Sequence, residues 1–282
     1  MKPTIWVYAL VFSFIFIDGA ANASAPATNA APAVANPFPH RTSFPDVPIV
    51  STADLATRFD RMLAVDVRSR YEYETLRIKD AVNAPVTDKT FADQIKALRA
   101  QHPGKSLVFY CNGKTCKKSY DAVRLAVHAG VTDVLCFDAG IEEWSKTNPE
   151  RTALLGRSPI TPADLITGDQ FKARVISAAD FEKRVGANSL VLDIRDVIQR
   201  DIAVFPFREE RVPLDQKQKL DAVVERAKAQ NKTLLVYDKA GHQIKWFQYY
   251  LESKGIKDYY FMKGGEEGYY ESTLGVKMGL SK

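Results

Sequence analysis

The sequence predicts an α/β protein of two tandem domains, each a mostly parallel central sheet flanked by helices. Two observations carry this. Apolar strand-like runs alternate with amphipathic helical segments, and the second half of the chain repeats the first at a near-constant offset. A proline-rich stretch, "KTNPERTALLGRSPITPADLITGDQ", separates the two copies.

Taken in order, the chain opens with Lys2 and a thirteen-residue apolar run, "IWVYALVFSFIFI" (Ile5 to Ile17), followed by "DGAANASA". A short basic region, a brief apolar core and small residues are the pattern of a secretory signal peptide, expected over residues 1–23 with cleavage after Ala23. The run is short for a membrane span, so a membrane is a partner only if this segment stays uncleaved. The expected location is the periplasm or the outside of the cell. Residues 24–46, rich in Ala, Pro and Asn, read as a flexible tether.

Residues 47–148 form the first expected domain. "LAVDVR" (Leu63 to Arg68), "SLVFYC" (Ser106 to Cys111) and "DVLCFD" (Asp133 to Asp138) read as buried strands. "TADLATRFDRM", "TFADQIKALRAQ" and "KSYDAVRLAVHAG" carry apolar residues at helical spacing, the last closed by Gly130. Residues 149–170 are the expected linker and residues 171–282 the second domain. There "SAADFEKRV…LVLDIRDV" repeats "STADLATRF…LAVDVRSR", and "TLLVYDKAGHQIKW" repeats "SLVFYCNGKTCKKS". Asp66 and Asp193 stand 127 residues apart, as do Cys111 and Asp238; Gly130 and Gly255 stand 125 apart. The alignment puts Asp238 where the first copy has Cys111, so thiol chemistry belongs to the first copy alone and the second is expected to be inactive.

Composition narrows the function. With 39 Lys+Arg against 34 Asp+Glu the net charge is +5, scattered rather than striped, and nucleic acid is not an expected partner. Three cysteines are an odd number. Cys136 lies in a strand-like run and reads as a small buried hydrophobe, leaving Cys111 and Cys116. No metal site is expected: the two thiols lack a CxxC spacing, lysines surround them, and His40, His102, His128 and His242 are dispersed. No cofactor is implied. His242 draws notice because it falls in the second copy's counterpart of the cysteine loop.

Cys111 ends a strand and a helix starts near Lys118 or Ser119, so the loop between them lies where parallel sheets bind ligands. Backbone amides, the helix N-terminus and Lys114, Lys117 and Lys118 would favour a thiolate and an adjacent anion. Gly113 suits the tight turn, and Ser119 the helix N-cap or a hydrogen bond to a bound oxyanion.

The chain resembles the rhodanese family over nearly all of its expected mature length. "LAVDVRSRYEYETLRIKDAVNAPV" looks like the family's strand, turn and substrate-side segment, with Asp66, Arg68, Glu72, Ile78, Ala81, Asn83 and Pro85 in matching places. "VFYCNGKTCKKS" resembles the active-site loop, and "FDAGIEEW" the closing segment. The resemblance implies two tandem rhodanese-like domains. It implies a sulfurtransferase that takes sulfane sulfur from a small anionic donor such as thiosulfate onto Cys111 as a persulfide. A thiophilic acceptor, including a thiol-bearing protein, would then receive it. Asn112, Gly113, Lys114, Thr115, Cys116, Lys117, Lys118 and Ser119 would bind the anion, while Asp66 and Arg68 organise the fold around the loop. The loop is longer than the family's usual six residues, and Arg77 and Asp80 replace its typical His and Gly. In two-domain members the cysteine usually sits in the C-terminal copy.

Other readings of the loop are a non-catalytic sulfur carrier or protein-binding module, a Cys-dependent phosphatase and an arsenate reductase. For the phosphatase, Lys117 would have to replace the bidentate arginine. Cys116 is a candidate redox partner of Cys111: it could resolve a persulfide, protect a resting thiolate as a disulfide, or simply line the loop.

Overall fold

The computed structural model describes residues 1, 36–200 and 202–275. Apart from Met1, the expected signal peptide lies outside them, as do residues 24–35 of the expected tether. The described residues from Pro37 onward form one compact unit.

In the first half, β1 (Met62–Asp66), β2 (Leu76–Ile78), β3 (Val82–Asn83), β4 (Ser106–Tyr110), β5 (Val134–Phe137) and β6 (Thr152–Leu154) are joined by α1 (Thr52–Thr57), α2 (Arg70–Thr75), α3 (Phe91–Gln101), α4 (Lys118–His128) and α5 (Gly140–Thr147). β3, β1, β4 and β5 lie side by side in that order, all parallel. Ile49 extends the sheet beyond β5 through a parallel bridge to Cys136.

The second half contains β7 (Val175–Ile176), β8 (Ser189–Asp193), β9 (Glu209–Arg211), β10 (Thr233–Tyr237) and β11 (Tyr259–Met262). With them come α6 (Gly168–Lys172), α7 (Ala178–Arg184), α8 (Lys217–Ala229), α9 (Ile244–Ser253) and α10 (Gly265–Leu274). Its five parallel strands run β7, β11, β10, β8, β9. Counting the Ile49 bridge, both sheets have the same order, and the registers correspond: Asp66 pairs with Tyr110 in one and Asp193 with Tyr237 in the other. The fold is therefore α/β, with two parallel sheets each flanked by helices.

Side-chain alternation divides each sheet between two cores. Leu63, Val65, Leu107 and Phe109 face one way, with Ile95 of α3 and Tyr120 and Val123 of α4. Ala64, Val108 and Tyr110 face the other, with Ile141 and Trp144 of α5. That second core also takes in Trp246 and Tyr249 of α9, so the halves share apolar packing. Trp246 is 2% exposed, and its ring lies 5.0 Å from the Arg68 guanidinium carbon.

Three segments depart from the sequence reading. The tether does not extend to Asp46. Arg41 forms a bidentate pair with Asp138 at 2.7 and 3.1 Å, Phe44 packs on Tyr120, and Arg124 reaches Asp46. Pro and Ala content masked these contacts because their partners lie 76 to 97 residues away.

The linker, too, is built into the fold, packed against both halves. β6 pairs antiparallel with β2, the Trp144 indole donates to the Arg151 carbonyl at 3.1 Å, and the Ile166 amide donates to the Tyr249 hydroxyl. Thr161 and Asp164 form a capping box around a single 3₁₀ turn. Lastly, the expected helix "TADLATRFDRM" ends at Thr57, and a 3₁₀ turn at Phe59–Arg61 delivers the chain into β1.

Candidate functional site

The site is assembled at the carboxyl ends of β1 and β4. The Asp66 carboxylate, at the end of β1, accepts from the Arg68 amide at 3.0 Å and from its guanidinium at 2.9 and 2.5 Å. Both side chains are fully buried. The guanidinium also donates to the Leu76 carbonyl at 2.6 Å and to Asn112 Oδ1 at 3.1 Å, directly behind Cys111. Asn112 in turn donates to Glu72 Oε1 at 3.0 Å, while Glu72 Oε2 accepts from the Ser69 amide and hydroxyl in the capping box that starts α2. Asn83 Nδ2 ties the turn together by donating to the Asp66 and Arg68 carbonyls. Asp66 and Arg68 thus sit behind the loop and are tied to it through Asn112.

Asp80, at the family's glycine position, has φ +62°, a left-handed conformation that glycine adopts freely and aspartate tolerates better than most residues. Its departure from the motif therefore leaves the turn intact.

Burial raises the Glu72 pKa, but the nearby Arg68 charge, the Asn112 hydrogen bond and Lys118 more than offset this and hold the carboxyl below its ordinary value. The sign follows. The unfolded chain binds this proton near pH 4.3, about the free glutamate value, and the folded chain only at lower pH. Stability from Glu72 is therefore complete above the unfolded pKa and is lost as pH falls through the folded one. Glu72→Gln should flatten the acid side of the stability profile and cost about 1–3 kcal/mol at neutral pH by weakening charge-assisted bonds. Urea denaturation across the acid range checks both.

Cys111 follows β4 directly, is 1% exposed, and belongs to the core facing α3 and α4. Its carbonyl accepts from the Ile141 amide at 3.0 Å and the Asn112 carbonyl from the Glu142 amide at 3.0 Å, so the first turn of α5 pins the start of the loop. The loop then turns back: the Cys116 amide donates to the Gly113 carbonyl at 2.9 Å. The Cα atoms of Cys111 and Cys116 lie 6.3 Å apart and their sulfurs are joined in a disulfide. Two residues after Cys116, α4 begins.

The other loop residues take less uniform positions than expected. Lys114 pairs with Glu143 at 2.8 Å and lies over the Phe38 ring, while Lys117 pairs with Asp121 at 3.5 Å. Both lysines already have carboxylate partners, so a cradle of three uncompensated cations is not what the loop presents. These pairs are partly exposed, worth about 0–1 kcal/mol, and easily exchanged. Thr115 is exposed and its carbonyl faces His40 Nε2 at 3.0 Å.

Ser119 does not cap the helix. Lys117 holds the N-cap position, and Ser119 is buried beside the Cys136 thiol, whose pKa burial pushes up to about 12. Gly113 does not have a positive φ, and a Cβ there would stand 3.3 Å from Glu142 Oε2, the end of a partly exposed side chain that can shift aside.

Sequence reasoning singled out neither Gly140, which begins α5 at φ +64°, nor the trio Arg41, Tyr120 and Asp138. The repeat held a signal for Gly140, because Gly265 begins α10 at φ +59° in the same relation to the second loop.

That second loop repeats the frame with different chemistry. Arg195 is bound to Asp193 at 2.9 and 2.8 Å and pairs with Glu266 at 2.6 Å. Asp238 is buried, and its carboxylate accepts from the amides of Gly241, Gln243 and Ile244 at 2.5, 2.5 and 3.3 Å. Burial pushes its pKa up, against the pull of the three donors. A carboxylate thus fills the amide cradle from within. His242 is exposed and, with Arg70, Tyr71, Asp238 and Lys239, borders a cavity of about 410 Å³.

A family model for the rhodanese-like domain matches residues 51–147. An HTH-type transcriptional regulator of Mycobacterium tuberculosis is 34% identical over 97 residues, covering 34% of this chain and 40% of the regulator, so the chain spans about two-fifths of that curated relative. Among solved structures, thiosulfate sulfurtransferase from Pseudomonas aeruginosa is 16% identical, covering 81% of this chain and 43% of that one at a TM-score of 0.38. A human single-domain sulfurtransferase is 29% identical, covering 35% and 95% at a TM-score of 0.29.

Proposed function

Because residues 51–147 form a rhodanese-like domain, we propose that this chain is an exported sulfurtransferase that carries sulfane sulfur on Cys111. The observation that supports this most directly is the placement of Cys111. It sits at the carboxyl end of a central parallel strand, against the start of α4, with its backbone fixed by α5 and by the Asp66–Arg68–Asn112–Glu72 network. The reduced Cys111 thiolate attacks the outer sulfur of a small anionic donor such as thiosulfate. The S–S bond of the donor breaks, sulfite leaves with the electron pair, and the outer sulfur remains on Cys111 as a persulfide. Amides of the loop and of the α4 N-terminus stabilise the anion. The persulfide then passes to a thiophilic acceptor, including a thiol-bearing protein. The second half, with Asp238 in the nucleophile's place, supports the first through α9.

With Cys111 and Cys116 joined, there is no thiolate to accept sulfur. Protein handled without reductant should therefore be silent, and treatment with a dithiol followed by its removal should restore transfer of sulfur from thiosulfate to cyanide, read as thiocyanate. Cys111→Ser should lower that transfer by about a thousandfold or more in reduced protein. Turnover that survives Cys111→Ser overturns the proposal.

A further inference from the structure

We infer that Cys116 is a resolving thiol: it attacks the persulfide on Cys111 and releases the carried sulfur as sulfide. This rests on the sulfurtransferase reading above. The supporting geometry is the loop itself. α5 fixes the carbonyls of Cys111 and Asn112, and the Gly113–Cys116 hydrogen bond folds the chain back, so the two sulfurs reach bonding distance within the folded loop. Cys111 is almost wholly buried, whereas Cys116 is partly exposed and packs against the same core. An external acceptor must reach a covered sulfur; Cys116 is already there. It lies directly before the N-cap of the eleven-residue helix α4. A tethered thiol also has the advantage of an intramolecular reaction over thiols in solution.

The step balances. The Cys116 thiolate attacks the inner sulfur of Cys111–S–SH, the Cys111–Cys116 disulfide forms, and the bond to the outer sulfur breaks. The outer sulfur leaves with the electron pair as hydrosulfide. The two thiols are oxidised, the sulfane sulfur is reduced, and no other oxidant is required. A dithiol reductant then opens the disulfide, becoming a disulfide itself, and returns both thiols. Each cycle converts thiosulfate and a dithiol into sulfite, sulfide and a disulfide. Cys136 takes no part, because its thiol is buried and stays protonated.

The test uses the full chain, reduced, freed of reductant without air, and given thiosulfate alone. Wild type should release about one sulfide per chain and end as the Cys111–Cys116 disulfide by peptide mass mapping. Cys116→Ser and Cys116→Ala should keep a mass one sulfur atom higher on Cys111 and release sulfide about a hundredfold more slowly. Wild type that holds the persulfide with Cys116 free, or variants that release sulfide as fast as wild type, overturns the resolving role and leaves sulfur transfer standing. If neither wild type nor the Cys116 variants take sulfur from thiosulfate or from a polysulfide, the sulfurtransferase reading fails and this inference with it.

Discussion

Replacing Arg68 by methionine should destabilise the folded chain by about 3–5 kcal/mol, the usual cost of removing one partner from a buried ion pair. The guanidinium is fully buried, and everything it satisfies would be left behind. The Asp66 carboxylate would lose two of its donors, and the Leu76 carbonyl and Asn112 Oδ1 would each lose one. The Trp246 ring would lose the cation it lies against, loosening the contact between the halves. Methionine fills similar volume, so the loss isolates charge and hydrogen bonding from cavity formation. Urea denaturation of Arg68→Met, Asp66→Asn and the double variant checks the assignment. The double variant should be less destabilised than the two single losses added together, because neutralising Asp66 removes the uncompensated buried charge. Strict additivity would show that Asp66 and Arg68 act independently and would remove the network from the account of the loop.

The same pair shows how much of the site was legible. "D-V-R" at Asp66 and "D-I-R" at Asp193 recur at one offset, and in both halves the arginine binds the aspartate two residues before it. A local contact of that kind is written in the sequence. So were the strands, because β1, β4 and β5 are continuous apolar runs buried on both faces. The partner of Lys114 was less accessible. Charge counting found the lysines but not Glu143, which reaches Lys114 from α5. Arg41 looked like tether for a similar reason: its partner Asp138 is 97 residues away, and the Ala- and Pro-rich residues before it carry no periodicity to reveal a docked segment. Ser119 was misplaced by a two-residue difference in the cap position, Lys117 rather than Ser119, which is enough to move a hydroxyl from the cap into the core.

Gly140→Ala is expected to damage the cysteine loop more than any other single methyl in the first half. Gly140 has φ +64°, where alanine is strained by about 1–3 kcal/mol, and its Cβ would stand 2.6 Å from the Cys111 carbonyl oxygen, 2.6 Å from the Gly113 nitrogen and 2.7 Å from the Asn112 carbonyl carbon. None of these neighbours can swing aside, because all are backbone atoms. The loop or the start of α5 must move, and the amide bonds from Ile141 and Glu142 that hold Cys111 and Asn112 move with it. A displacement approaching 1 Å at a reacting sulfur is worth about a hundredfold in rate. Reduced Gly140→Ala should therefore lose sulfur transfer on that scale in addition to stability. Gly130→Ala supplies the contrast: φ is +82° but a Cβ there meets nothing within 4 Å, so it should cost stability alone. Gly265→Ala divides the two effects further. It crowds the Asp238 loop in the same way, yet that loop carries no nucleophile, so the first half's transfer rate should fall only as far as unfolding takes it. If Gly140→Ala and Gly265→Ala lose activity equally at equal stability, Gly140 does not position Cys111 and the cysteine loop is set by other contacts.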